Sequence, residues 1–149
     1  MARIEVATEL TDELVEAFAR LVPQLSDRAG VPTSSELAAI LKSPSTRILL
    51  ARDDDRIVGT LTLALFRIPT GVRAWIEDVV VDESARGQGA GDALTREAIR
   101  LAADAGAATV DLTSRPDRTA ANRLYRKLGF SRRETNVYRY EVDDSNGTL

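Results

Sequence analysis

The 149-residue chain contains no cysteine and no histidine. Without cysteine there are no disulfides, no thiolate metal sites and no cysteine nucleophile, and the cytoplasm becomes the expected compartment. Without histidine the commonest general base and metal ligand is gone. Proton transfer then falls to Asp, Glu, Lys or Tyr, a histidine triad is excluded, and no metal site is expected. No apolar run approaches the roughly 20 residues of a membrane span, so no membrane role is expected. The opening "MARIEVATEL" lacks the apolar stretch and small-residue cleavage site of a secretory signal. A net charge of −3 argues against a nucleic-acid surface. The basic residues nonetheless crowd between positions 115 and 139, which suits an anionic ligand of modest size as well as a solvated helix face.

What is there reads as one soluble globular domain over residues 1–142, with 143–149 as a loose polar tail. "RIEVA" predicts a short strand, and "TDELVEAFARLV" a helix with Leu14, Phe18 and Leu21 on one stripe, ended or kinked by Pro23. "TSSELAAILK" has capping-box spacing between Thr33 and Glu36, and so predicts a second helix. "TRILLARDDDRIVGTLTLALFRI" reads as two strands about a turn at Asp53, Asp54 and Asp55. A third strand follows over residues 75–81, completing an antiparallel meander. Apolar residues recur at helical spacing through 88–105 before Gly106, "ATVDLT" supplies a strand, "RTAANRLYRKLGF" a helix, and "NVYRYEV" a last strand. A helix between neighbouring strands implies one parallel crossover, and hence an α+β fold with a mixed sheet.

That crossover carries "WIEDVVVDESARGQGAGDAL", with Gly87, Gly89 and Gly91 between an apolar strand and a helix. A helix N-terminus presents amides without intrahelical partners and the positive end of its dipole, so a strand, glycine loop and helix in succession form a natural phosphate cradle. Arg86 adds charge at its start. The loop lacks the Gly-Lys-Ser/Thr ending of a Walker motif, and Asp92 or Leu94 falls where a dinucleotide fingerprint needs its last glycine.

Arg86, Gly89 and Gly91 fill the Arg/Gln-x-x-Gly-x-Gly/Ala pattern of the acyl-CoA loop in the GNAT superfamily of N-acetyltransferases, which the chain resembles. "ANRLYRKLGF" resembles the superfamily's downstream helix with its Leu-Tyr pair and following Gly-Phe. The resemblance covers residues 57–142. It implies a mixed, mostly antiparallel sheet of about six to seven strands flanked by about four helices, with splayed central strands. It further implies acetyl-CoA as cosubstrate, its pyrophosphate on the amides of Arg86, Gly87, Gln88, Gly89, Ala90 and Gly91, and its pantetheine arm near Val79, Val81 and Thr113. Asn122 would add amide contacts, since Arg118 stands where many members have asparagine.

The implied enzyme is an N-acetyltransferase, an acyltransferase outside the amino-acyl class, that moves acetyl to a primary amine by direct attack in a ternary complex. Tyr125 resembles the superfamily's tyrosine beside the CoA sulfur and is the candidate acid; a phenol donates at neutral pH. Glu77 is the candidate base by analogy. On strand alternation it shares a face with Trp75 and Val79, and burial would raise its pKa; alternatively Glu77 or Asp78 pairs with Arg67 or Arg73. Asp27, Glu36, Trp75, Glu77 and Tyr138 are candidate contacts for a small-molecule or peptide amine, and a homodimer is compatible with the resemblance. A sensor of the same fold that binds acyl-CoA without transfer, and an interaction domain with no cofactor, are the rival readings.

Overall fold

The computed structural model describes residues 2–142; the expected loose tail lies outside the described residues. Strand β1 (Arg3–Val6) is followed by helices α1 (Asp12–Leu25) and α2 (Ser34–Lys42), then strands β2 (Thr46–Asp53), β3 (Arg56–Ile68) and β4 (Gly71–Val81). A 3-10 turn (Glu83–Ala85), helix α3 (Ala90–Asp104), strand β5 (Val110–Asp111) and helix α4 (Thr119–Lys127) complete the described order. The sheet runs β1-β2-β3-β4-β5, antiparallel except for the parallel β4–β5 pair, so the meander and the crossover stand as the sequence predicts.

Local chemistry sets the helix starts. The Thr11 hydroxyl accepts from the Leu14 amide, and Thr33 and Glu36 close the expected capping box. Helix α1 runs past Pro23 to Leu25, so of the two expected effects an end at Pro23 is excluded; lacking an amide hydrogen, the proline cannot donate to the Ala19 carbonyl one turn back. Both faces of the sheet are covered. Ala90, Leu94, Ala98 and Ala102 of α3 pack on Leu49, Leu61, Leu63 and Ile76. Leu14, Phe18 and Leu21 of α1, with Leu37 of α2, pack on Ile48, Leu50, Ile57 and Val80.

Two departures from the sequence reading shape the site. The pairing of β3 with β4 slips between Thr60↔Val80 and Thr62↔Glu77, so Leu61 faces the two residues Asp78 and Val79. This bulge inverts the alternation beyond it. Val79 and Val81 therefore pack on the α3 side with Ala74 and Ile76, while Val80 joins the cluster of α1 and α2. The expected shared face of Trp75, Glu77 and Val79 is thereby corrected.

The second departure is the last strand. Residues 131–142 form no strand, and Val137 and Tyr138 stand 75% and 88% exposed. The described sheet thus has five strands rather than six or seven. Alternating residues become a strand only when their backbone groups find a ladder to join, and here β5 pairs over two residues only and offers its outer edge to none of them.

Candidate functional site

The pairing of β4 with β5 ends at Trp75↔Asp111, yet β4 continues to Val81. From Ile76 onward its outer edge has no neighbouring strand among the described residues, leaving backbone donors and acceptors available to an extended ligand. A cleft of about 260 Å³ opens there, lined by Gln24, Leu25, Val79, Val80, Val81, Arg86 and Arg118. The bulge marks the same place: Asp78 has φ +50°, a left-handed conformation a non-glycine residue adopts at some cost in strain.

Beyond β4 the chain turns into α3 through Gly87 (φ +80°) and Gly89 (φ +89°). Gly89 is the N-cap and supplies no side-chain cap, so the first amides of α3 remain open. A Cβ added at Gly87 or Gly89 meets nothing within 4 Å; the glycines serve left-handed backbone and leave the outer face of the loop clear. Gly91 does a different job, with its Cβ position 3.5 Å from Leu124, letting α4 approach the start of α3. Asp92, an acid in this first turn, would oppose an anion, but it is held by Arg96 at 2.6 Å and by Lys127 at 3.9 Å. Arg86 donates from Nε to the Val81 carbonyl at 3.0 Å, which fixes its stem and leaves its terminal nitrogens for the cleft.

Helix α4 presents Tyr125. Gly129 (φ +103°) reverses the chain so that the Phe130 amide donates to the Tyr125 carbonyl at 2.9 Å. The Phe130 ring then meets the tyrosine edge-on, with centroids 5.7 Å apart. The Gly-Phe pair is thus the device that sets the tyrosine ring. Burial pushes the Tyr125 phenol above its ordinary pKa, with the Arg118 guanidinium pulling the other way. Arg118 therefore lies within electrostatic reach of the phenol and also lines the cleft.

Not every expected residue joins them. Ala90 is buried in the core and, with the exposed Gln88, lines a separate void of about 10 Å³ beside Ala2, Asp53, Val58 and Ala85; neither lines the cleft. Thr113 is exposed past the end of β5. The Asn122 side-chain amide donates to the Arg115 and Arg118 carbonyls, closing the loop before α4. Glu77 is exposed, so the buried environment considered for it is not formed. The alternative pairing is not formed either: the ion pairs found among the described residues leave Glu77 and Asp78 out, and Arg73 and Arg67 stand opposite Phe66 and Val72.

Of the acceptor candidates, Trp75 is half-buried at the point where the strands part, and Asp27 and Tyr138 are exposed. The Glu36 carboxylate is spent on the cap of α2, whose backbone hydrogen bond at Thr33 lowers its pKa. The sequence reading missed Gln24 and Leu25, which reach the cleft from α1. It also missed Ser114, whose Oγ is buried without a hydrogen-bond partner. No spacing rule in the sequence points to any of the three.

The Acetyltransferase (GNAT) family matches this chain over residues 7–130. The chain belongs to the GNAT acetyltransferase family. An uncharacterized N-acetyltransferase of Mycobacterium tuberculosis H37Rv is 30% identical over 151 residues, covering 91% of this chain and 92% of that protein. Among solved structures, a protein described as a transcriptional regulator from Bacillus halodurans C-125 aligns with a TM-score of 0.79 at 28% identity, covering 95% of this chain and all of that one. An aminoglycoside acetyltransferase from an uncultured soil metagenomic sample aligns at 0.81 with 22% identity and 95% coverage of both, a likeness of fold. This GNAT chain has no described helix long and apolar enough to cross a membrane.

Proposed function

We propose that the protein is an acetyl-CoA-dependent N-acetyltransferase acting on a primary amine. One observation carries this reading: the cationic Arg86 and Arg118 and the unpaired edge of β4 line one cleft, and Arg86 leads through the glycine loop into the uncapped start of α3. That combination fits a ligand with a pyrophosphate at one end and an amide-bearing arm at the other.

In this reading the amides from Gly87 to Gly91 hold the pyrophosphate, Arg86 and Arg118 neutralise it, and the β4 edge at Val79 and Val81 pairs with the pantetheine arm. Bound there, acetyl-CoA supplies an activated thioester. Glu77, exposed beside the bulge, accepts a proton from the amine through water. The amine nitrogen attacks the thioester carbonyl carbon, the new C–N bond forms and the C–S bond breaks. Tyr125, kept protonated by burial, gives its proton to the departing sulfur. With no cysteine in the chain, no acyl-enzyme on sulfur intervenes.

The same absence makes the test clean, because every thiol released in a reaction mixture comes from CoA. Calorimetric titration with acetyl-CoA should show micromolar binding, and a panel of amines assayed for thiol release should find an acceptor. Absence of binding would refute the proposal. A second reading, a module that binds acyl-CoA without transfer, draws on the 28% identical structure described as a transcriptional regulator. It predicts binding without thiol release for every amine, and a Tyr125→Phe variant that behaves like the wild type.

A further inference from the structure

Just before the glycine loop in the chain, polar contacts converge on one carboxylate. Asp82, 4% exposed, follows β4 and caps the 3-10 turn. Its Oδ1 accepts from the Ser84 amide at 3.1 Å and hydroxyl at 3.0 Å, which shapes the turn. Its Oδ2 accepts from Arg20 Nη1 at 2.6 Å and, more loosely, from Arg56 Nη2 at 3.4 Å. Arg20 comes from α1, 62 residues earlier, and its second terminal nitrogen donates to the Ile57 carbonyl of β3 at 2.9 Å. One turn further along α1, Gln24 accepts from the Glu83 amide at 2.8 Å through Oε1 and donates to the Arg20 carbonyl at 3.2 Å. Helix α1 therefore grips the short turn that feeds Arg86 and the loop amides, and ends with Gln24 and Leu25 in the cleft wall.

We propose that Arg20 is a positioning residue for the ligand loop: by holding Asp82 between β3 and α1 it sets the angle at which Arg86 and the amides of 87–91 meet the ligand. Arg20 itself does not line the cleft. The inference rests on the acetyl-CoA reading above. Its physical basis is that a buried carboxylate stripped of its cation must turn toward water or draw in another partner. The Ser84 amide and hydroxyl bonded to that carboxylate would move with it, and a small displacement of preorganised donors is costly to binding.

The test uses Arg20→Met, Arg20→Lys and the double variant Arg20→Met/Asp82→Asn. The double variant removes the stranded charge while Asn still accepts from Ser84, so it guards against loss of fold. Thermal unfolding is read beside steady-state kinetics with varied acetyl-CoA. Arg20→Met should raise KM for acetyl-CoA about tenfold, with kcat at saturation within about twofold of wild type; the double variant, which loses the tether but strands no charge, should show a smaller rise in KM. Arg20→Lys should recover a large part of the loss, because it restores a cation beside Asp82. A lowered melting temperature with unchanged KM in the folded variants would make Arg20 a purely structural ion pair and overturn this inference alone. Absence of acetyl-CoA turnover in the wild type would overturn it together with the reading beneath it.

Discussion

Gly89 separates backbone strain from ligand chemistry. It holds φ +89° and ψ 6° at the cap of α3, and a Cβ there meets no atom within 4 Å. Gly89→Ala therefore adds left-handed strain without a clash, about 1–2 kcal/mol. With an unfolding entropy of about 2.1 cal/mol/K per residue, a chain of 149 residues unfolds with about 0.3 kcal/mol/K. The expected fall in melting temperature is then about 3–6 °C.

Gly89→Glu carries the same strain, but its carboxylate at a helix N-terminus is favourable to the free protein. Without ligand the Glu variant should melt no lower than the Ala variant. With acetyl-CoA the order inverts, because the carboxylate occupies and repels the place meant for pyrophosphate. A cost of about 1.4 kcal/mol or more corresponds to at least a tenfold weaker Kd than for Gly89→Ala. Scanning calorimetry reads both effects. A ligand at about 100 times its Kd adds about 2.7 kcal/mol, or about 9 °C for the wild type. Most of that shift should survive in the Ala variant and little in the Glu variant. Equal Kd values for the two would refute the assignment of the loop as the anion site.

Tyr125→Phe keeps the edge-on contact with Phe130 and should leave acetyl-CoA affinity within about threefold while lowering kcat by about 10²–10⁴. Because burial holds the phenol above the ordinary tyrosine range, the alkaline limb of the wild-type kcat profile should lie high and vanish in the variant. Glu77→Gln, at an exposed position, should leave thermal stability unchanged and lower kcat/KM for the amine by about 10²-fold; unchanged kinetics would move the base elsewhere. The Ser84 amide, working against burial and helped by Arg20, lowers the Asp82 pKa from 3.8 to about 2. A depressed carboxylate stabilises the fold above its unfolded pKa. That contribution, at most about 2 kcal/mol, should therefore be present above about pH 4 and lost as the pH falls through about 2. Urea unfolding of Asp82→Asn should be flatter across that window; a wild-type curve no steeper than the variant's would refute the linkage.

The parts legible in the sequence are those decided within a few residues. Thr33 with Glu36, Gly89 before α3, and Gly129 before Phe130 each fix a local geometry through groups three to five positions apart, and each stands where its spacing places it. The illegible parts are decided by pairing. Nothing in "EDVVV" announces a bulge, because alternation states which residues would share a face only once the partner strand is in register, and the slip is settled opposite Leu61. "NVYRYEV" alternates as well as β4 does, yet with two residues of β5 paired and no ladder offered, the pattern stays unused. The two ends of the proposed site differ in the same way. The proposed anion end is built from local backbone, which the spacing of Gly87, Gly89 and Gly91 already marks. The proposed base end hangs on a bulge that turns Val79 to the α3 side and leaves Glu77 in the open, and the sequence carries no trace of it beyond a short run of residues able to adopt either register.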